Sequence, residues 1–267
     1  MKLTAEQVEK CLAAHNLPFP LQVEVHPTME STNTYVKQAG DKGASEGLLV
    51  IAEKQTGGRG RRGRTFYSPE GTGLYMSLLL KPDVIPEDAL HITTCAAVAA
   101  AEAIEAISGR KTGIKWVNDV FMDGRKVCGI LTESALSAEQ GKLQYAVLGI
   151  GVNIFVPADD FPEDIRTIAG AVFTKKPEED TRATLAAEIV ARFLRYYPTL
   201  GQKEYMQAYR DRMILFGKTV IVHSAGGEVL GEGQCLDLDE ELGLVVRMTD
   251  GEIRTLSTGE VSIRGDF

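Results

Sequence analysis

The sequence predicts an α+β domain over residues 1–214 and a small all-β domain over residues 215–267. Apolar strand-like runs and amphipathic helices share the first part, which is typical of a mixed sheet flanked by helices. Beyond Phe216, short strands separated by glycine-containing turns replace that pattern. A length of 267 residues with 44% hydrophobic side chains suits one large and one small domain.

The first predicted elements are a helix, a strand and a second helix. Thr4 and Gln7 form a capping box, so a short helix starts there. Apolar and polar residues alternate over 21–25, which predicts a half-buried strand. The Ser31-Thr-Asn33 triplet either caps a helix that ends at Gly40 or directs its hydroxyls and amide towards a ligand.

The middle of the chain supplies most of the predicted sheet. Apolar runs predict strands at 48–53, 74–80, 125–133 and 143–150, the last continuing to Asn153. A long helix is expected from Pro86 to about Ile107, between the second and third of these strands. Asp123-Gly124 predicts the hairpin turn that leads into the third.

The C-terminal part changes character. Residues 155–176 are expected to be irregular, Thr181 to cap a helix that ends at about Tyr197, and residues 202–213 to form another helix. Five short strands follow at 218–223, 228–237, 243–248, 253–256 and 261–263, with a Thr258-Gly259 turn before the last. Their number and length predict a small β-barrel of the SH3-like kind.

Composition excludes several classes of function. A net charge of -8 argues against general nucleic-acid binding, so no DNA partner is expected. The four cysteines are scattered without a C-x-x-C pair, which indicates reduced thiols rather than a zinc site. The N-terminus lacks the apolar run of a signal peptide, and the apolar stretch 95–107 is too short to span a bilayer. We therefore expect a cytoplasmic protein without a membrane partner.

Residues 57–64 form a basic, glycine-rich loop with the sequence Gly-Gly-Arg-Gly-Arg-Arg-Gly-Arg. Its glycines let backbone N–H groups approach an anion, and its guanidinium groups suit carboxylate and phosphate. A solvated charge cluster is the alternative interpretation. Because the loop lies between two apolar strands, the sequence favours an anion site, with a loop that becomes ordered when the anion binds.

Polar side chains within apolar stretches are expected to face one cleft together with this loop: Gln55, Lys115, Asn118, Asp119, Lys126 and Asn153. Mostly cationic groups with one carboxylate suit a substrate that carries both a carboxylate and phosphates. A nucleophilic triad and the Walker A pattern are missing from the sequence, so the predicted chemistry is electrostatic stabilisation of a transition state. Lys126 requires an anionic partner if its strand is internal, unless it is a charge on an edge strand.

Four motifs resemble, in order and spacing, the signature motifs of biotin–protein ligases: residues 58–63, Lys115-Trp-Val-Asn-Asp119, residues 125–131 and residues 149–153. The Ser31-Thr-Asn33 triplet and the C-terminal barrel match the family as well, so the resemblance covers nearly the whole chain. It implies a class II synthetase-like catalytic domain, with a mixed sheet flanked by helices, and an SH3-like C-terminal domain.

The resemblance implies a biotin–[acetyl-CoA-carboxylase] ligase. In that reaction biotin and ATP, with Mg²⁺, give biotinyl-5′-AMP, and a lysine of a biotin carboxyl carrier protein then takes the biotin. No covalent enzyme intermediate is needed, which agrees with the missing nucleophile. The resemblance also implies that a homodimer can form through the central sheet.

The resemblance also implies roles for individual residues. Lys126 and Arg61 are the expected catalytic residues, and Asp119 is the candidate Mg²⁺ ligand. Independently of the resemblance, Cys128 and Trp116 are expected to serve packing, because no base is near Cys128 and Trp116 alternates with Lys115. The expected biotin-binding residues are Ser31, Thr32, Asn33, Gln55, Arg59, Gly60, Arg61, Lys126 and Gly129. The expected ATP-binding residues are Arg61, Arg64, Phe66, Lys115, Asn118, Asp119 and Asn153.

Two departures and two alternatives accompany this hypothesis. Val117 stands where the family usually has proline, and about thirty residues precede Ser31, too few for the repressor domain of bifunctional members. A monofunctional enzyme without operator binding is therefore expected. The alternatives are a lipoate–protein ligase and a non-catalytic RNA-binding module that uses the basic loop. The acidic charge and the lack of interleaved aromatic residues disfavour the second.

Overall fold

The computed structural model describes residues 2–137, 141–177, 180–224, 226–257 and 261–264. Its helices and strands follow in chain order: α1 (Ala5–Leu12), β1 (Gln22–His26), α2 (Thr32–Asp41), β2 (Leu48–Ala52), β3 (Gly73–Leu80), α3 (Ala89–Ser108), β4 (Gly113–Lys115), β5 (Asp119–Met122), β6 (Arg125–Leu136), β7 (Leu143–Asn153), α4 (Thr181–Tyr196), α5 (Met206–Asp211), β8 (Thr219–Ser224), β9 (Val229–Leu238), β10 (Leu244–Met248), β11 (Ile253–Leu256) and β12 (Val261–Arg264). Most lie where the sequence predicts them.

A seven-stranded mixed sheet forms the larger part of the molecule, in the order β1-β2-β3-β7-β6-β5-β4. Only the β1–β2 pairing within it is parallel; the other neighbours are antiparallel. Strands β3, β7 and β6 lie at its centre and run side by side over most of their length. The predicted mixed sheet flanked by helices is confirmed.

Both faces of this sheet are covered, which explains the continuous apolar run of β2. Leu48 and Val50 pack against α2 on one face. Leu49 and Ile51 belong to the larger core on the other face, which includes α1, α3 and α4. Because successive side chains of a strand point to opposite faces, a strand that is buried on both sides needs apolar residues at every position.

Helix α3 corrects a prediction made from length. It has 20 residues and is therefore about 30 Å long, enough to cross a membrane by length and composition. The expectation that this stretch is too short to do so is wrong. Most of its residues are buried within the protein, where it packs on α4 and β6, and such burial requires an apolar helix without any membrane.

Three further predictions of element boundaries are wrong. Gly40 does not end α2 but lies inside it, where its missing side chain makes room for the ring of Tyr145. The stretch 113–121 contains two antiparallel strands, β4 and β5. Asp180, not Thr181, is the N-cap of α4. The helix expected at 202–213 is shortened to α5, since a 3₁₀ helix ends at Gln202 and Lys203 after it is in the left-handed region, with φ of 56°.

The C-terminal strands form a separate five-stranded antiparallel sheet in the order β11-β10-β9-β8-β12. This small β domain is confirmed, whereas its SH3-like topology stays a prediction. The expected Thr258-Gly259 turn lies outside the described residues. The indole Nε1 of Trp116 donates a 2.9 Å hydrogen bond to the carbonyl of Leu242, and thereby joins the β4–β5 connection to the small sheet.

Candidate active site

A cavity of about 880 Å³ lies over β3, β7 and β6 and extends beneath the basic loop. Every site residue predicted from the sequence lines it: Ser31, Thr32, Asn33, Gln55, Arg59, Gly60, Arg61, Arg64, Phe66, Lys115, Asn118, Asp119, Lys126, Gly129 and Asn153. These residues come from six separate segments, and the fold brings them to one place.

One end of the cavity is built from buried neutral polar groups. Gln55 Oε1 accepts hydrogen bonds from the backbone N–H and the hydroxyl of Thr32, at 2.9 and 3.1 Å. The Ser77 hydroxyl, on β3, lies 2.7 Å from Thr32 Oγ1 and 2.6 Å from Asn33 Oδ1. Ser31 caps α2, so the triplet serves both of its predicted alternatives: it starts a helix and lines a site.

The floor of the cavity consists of glycines on neighbouring strands. Gly129 on β6 pairs with Gly151 on β7. A Cβ at Gly151 would lie 2.6 Å from the ring of Phe66, and a Cβ at Gly149 would collide with Asn33 Oδ1. Because these positions carry no side chain, an aromatic ring and an amide can lie directly on the sheet.

Lys126 and Asp119 form an ion pair inside the cavity, with 2.7 Å between Nζ and Oδ1 and about a quarter of each side chain exposed. The predicted anionic partner of Lys126 is therefore Asp119. The edge-strand interpretation of Lys126 is wrong, because β6 lies between β5 and β7. The backbone of Lys126 also holds the irregular segment, since its N–H donates to Ile168 and its carbonyl accepts from Gly170.

The basic loop is closed by its own backbone. Arg59 and Thr65 face each other as an antiparallel bridge, and the Gly60 N–H donates a 2.7 Å hydrogen bond to the carbonyl of Arg64. Arg62 occupies the left-handed region with φ of 56° at the tip, which makes the turn tight enough to close. Four guanidinium groups thus project from a small hydrogen-bonded hairpin.

Two arginines of this loop contact residues outside it. Arg61 Nη1 donates a 3.2 Å hydrogen bond to Asn118 Oδ1, and Arg59 Nη2 lies 3.0 Å from Glu133 Oε1. Burial lowers the pKa of Arg61, and the neighbouring charge of Arg62 lowers it further. An anion placed beside Arg61 would offset both effects, so the geometry favours binding of a carboxylate or phosphate there.

Sequence reasoning missed several residues of the wall and of the groups that hold it. Phe161, Ile165 and Ile168 of the irregular segment line the cavity. Ser77 on β3 and Glu133 on β6 contact the wall residue Asn33. Glu133 follows Gly129 and Leu131 at spacings of two, so strand periodicity could have identified it. The irregular segment has no such signal, because contacts with distant residues of β6 and β7, such as Lys126 and Asn153, hold it at the cavity.

The remaining sequence expectations concern packing. Cys128 is fully buried on β6, where burial raises the pKa of its thiol, so it is a poor nucleophile. Trp116 is 7% exposed and belongs to the main core while its edge lines the cavity. The peptide bond between Trp116 and Val117, where the family usually has proline, is cis.

Comparisons with known proteins decide the family. The model of the biotin/lipoate A/B protein ligase family matches residues 25–153. A bifunctional ligase/repressor BirA from Bacillus spizizenii is 32% identical over 262 residues, which cover 94% of this chain and 79% of that protein. The chain belongs to the biotin/lipoate A/B protein ligase family. The matched segment contains every predicted site residue, which ties the cavity to the family.

Two further relatives match this ligase over most of its length. A biotin--[acetyl-CoA-carboxylase] ligase from Mycobacterium tuberculosis is 26% identical, with 90% of this chain and 88% of that protein covered. The solved structure of a biotin protein ligase from Aquifex aeolicus in complex with biotin and ATP superposes with a TM-score of 0.74 at 27% identity. That likeness covers 92% of this chain and 99% of the other, and therefore includes both sheets.

Proposed function

We propose that this enzyme is a biotin–protein ligase. It uses ATP to convert biotin into biotinyl-5′-AMP and then transfers biotin to a lysine of a biotin carboxyl carrier protein. The observation that carries the proposal is one cavity that combines a buried neutral polar end, the Lys126–Asp119 pair and two loop arginines. The similarity to ligases named for biotin supports the choice of acid.

The neutral end of the cavity suits the ureido ring of biotin, which offers one carbonyl and two N–H groups and carries no charge. Thr32, Asn33 and Gln55 present hydroxyl and amide groups of both donor and acceptor kind. Ser31 adds a hydroxyl beside them, and Gly129 leaves room for the flat ring. A charged group at this end would lose hydration without a partner, so neutral residues give the better fit.

In the first step the biotin carboxylate attacks the α-phosphorus of ATP and pyrophosphate leaves. Negative charge accumulates on the phosphoryl oxygens, and Lys126 and Arg61 are placed to stabilise it. Arg59 and Gly60 complete the wall around the acid. In the second step the lysine amine of the carrier attacks the carbonyl carbon of the mixed anhydride, and AMP leaves. Neither step requires a nucleophile from the enzyme.

The ATP side is assigned to Arg64, Phe66, Lys115, Asn118, Asp119 and Asn153, which line the same cavity. Mg²⁺ enters this scheme as the companion of ATP and screens the charge of its phosphates. Asp119 is the carboxylate that fits it, because it lines the cavity and its ion pair with Lys126 holds it there.

Several further features belong to this proposal. We place the domain boundary between residues 214 and 215, give the C-terminal sheet an SH3-like barrel topology, and expect a homodimer through the central sheet. We also place the enzyme in the cytoplasm, since its four cysteines are all unpaired thiols. Analytical ultracentrifugation with and without biotin and ATP tests the dimer.

Biotin-dependent exchange of labelled pyrophosphate into ATP tests the proposed reaction. The wild type should catalyse exchange only when biotin is present, and Lys126→Ala should lower it by about 10²-fold or more, because a cation that stabilises the transition state is lost. Lys10→Ala is the control, since Lys10 is an exposed residue of α1, and it should retain exchange.

Other outcomes assign the enzyme differently. Exchange that requires lipoate instead of biotin would move it to the lipoate branch of its family. Folded wild-type protein without exchange for either acid would refute the ligase reaction. Normal exchange in Lys126→Ala would leave the proposed reaction standing and show that Lys126 does not stabilise its transition state.

A further inference from the structure

The carboxylate of Glu133 joins two parts of the cavity wall that are far apart in the sequence. Its Oε1 lies 3.0 Å from Nη2 of Arg59 in the basic loop. Its Oε2 accepts a 3.0 Å hydrogen bond from Nδ2 of Asn33 at the start of α2. The Glu133 side chain is 20% exposed, so water competes with these contacts only in part. The proposed reaction assigns no role to this residue.

Strand β6 fastens the basic loop at two points. Arg59, at the base of the loop, is held directly by Glu133. Arg61, near its tip, bonds Asn118, whose own Nδ2 donates a 2.8 Å hydrogen bond to the carbonyl of Ile130. The Glu133 contact pairs opposite charges, and charge-assisted hydrogen bonds are the stronger kind.

The same carboxylate connects the loop to the neutral end of the cavity. Ser77, Asn33, Glu133 and Arg59 form a continuous chain of polar contacts. Asn33 has little freedom within it, because its Oδ1 lies against Gly149 where a Cβ would otherwise stand. A ligand that steadies Asn33 therefore also steadies Glu133 and the base of the loop.

We propose that Glu133 is a positioning residue that fastens the basic loop over the cavity and retains the acid and its activated form until the acceptor amine arrives. This inference rests on the proposed function. A mixed anhydride is hydrolysed when water reaches it, so a loop that stays closed protects the intermediate. Glu133 acts through Arg59 and touches none of the reacting atoms.

Glu133→Gln tests the role, because it keeps size and removes charge. Both partners of Glu133 are donors, and a glutamine would turn its NH₂ group towards one of them. We expect biotin to dissociate about threefold to tenfold faster, since loss of a closing contact mainly raises the dissociation rate. Stopped-flow fluorescence of Trp116, the only tryptophan and a residue of the cavity wall, measures this rate.

A second measurement distinguishes poorer retention of the activated intermediate from general damage to the active site. The ratio of AMP released to biotin transferred, measured with a carrier domain as acceptor, should rise in Glu133→Gln, while biotin-dependent pyrophosphate exchange persists. Glu70→Gln is the matched control, because Glu70 is an exposed carboxylate paired with Lys2; it should change neither the dissociation rate nor the ratio.

A double-mutant cycle with Arg59→Met completes the test and does not depend on how well β6 tolerates the glutamine. Biotin should dissociate faster from Arg59→Met than from the wild type. Adding Glu133→Gln should cause little further increase, because the contact between residues 59 and 133 is already lost. If the two substitutions multiplied their separate effects on the dissociation rate, the inference would be overturned. It would also be overturned if Glu133→Gln left both the dissociation rate and the ratio of AMP released to biotin transferred unchanged. Absence of exchange in the wild type would instead refute the proposed function.

Discussion

At the scale of single residues, missing side chains shape this site as much as present ones. Gly129, Gly149 and Gly151 interrupt two central strands whose other positions are largely apolar. Glycine weakens a strand by roughly 0.5–1 kcal/mol relative to alanine, yet here it lets Phe66 and Asn33 lie against the sheet. The local loss of strand stability is the consequence of building a cavity on the middle of a sheet.

Gly149→Ala tests that argument. The new methyl group would collide with Asn33 Oδ1, so we expect a loss of about 1–3 kcal/mol of unfolding free energy and a weaker affinity for biotin. Urea unfolding and titration with biotin measure the two effects. Gly201→Ala is the control, because a Cβ there meets no atom within 4 Å; an equal loss in both variants would contradict the explanation.

At the scale of elements, one buried carboxylate fixes the end of β2. Glu53 is 3% exposed and directly follows the apolar strand. Its carboxylate accepts a hydrogen bond from the backbone N–H of Leu3 and pairs with Nη1 of Arg182 at 2.6 Å. The segment before α1, the end of β2 and the start of α4 thus meet at one side chain.

We expect Glu53→Ala to lower the free energy of unfolding by about 3 kcal/mol, because it leaves Arg182 largely buried without this carboxylate. Chemical denaturation followed by circular dichroism measures the loss. Glu70→Ala removes an exposed carboxylate 3.6 Å from Lys2 and should change stability by less than about 1 kcal/mol. Comparable losses would show that burial of the Glu53 pair does not matter.

At the scale of the whole molecule, polar contacts join the small sheet to the larger part. Arg210 on α5 donates to the carbonyl of Leu238 and pairs with Asp237, both on β9. His91 on α3 donates or accepts a 2.6 Å hydrogen bond at Tyr205, and its Nε2 lies 3.9 Å from the carboxylate of Glu241. A titratable side chain is therefore buried where the two parts meet.

This arrangement predicts a pH dependence of stability. Burial lowers the pKa of His91, Lys203 lowers it further, and Asp88 and Glu241 oppose the change. A lowered pKa means that the folded protein disfavours the protonated ring. The contribution of His91 to stability is therefore fully present above its ordinary pKa of about 6.5 and is lost as the pH falls below that value.

We expect the free energy of unfolding to fall less steeply in His91→Asn than in the wild type between about pH 7.5 and about pH 5, since asparagine does not titrate there. Urea unfolding across this range measures both slopes. Gly201→Ala, which changes no titratable group and whose new methyl group meets no atom within 4 Å, should keep the wild-type slope. Identical slopes for wild type and His91→Asn would refute the assignment.

The sequence predicted elements well where a pattern is local. The capping box of Thr4 and Gln7 is present, and the Asp123-Gly124 turn joins β5 to β6. Predictions failed where a distant residue decides the outcome. Gly40 continues α2 because the Tyr145 ring packs on it, and tertiary packing of that kind is invisible to rules for helix ends.

The sequence by itself determined the order of the elements, the chemical groups available for the reaction and the family to which the chain belongs. These properties depend on periodicity and on motifs that span a few residues. Only the tertiary structure decided that Lys126 pairs with Asp119, that Arg59 pairs with Glu133 and that residues 161–169 close one side of the cavity. Such contacts join segments separated by many residues, and strand register and loop closure fix them only when the whole sheet has formed.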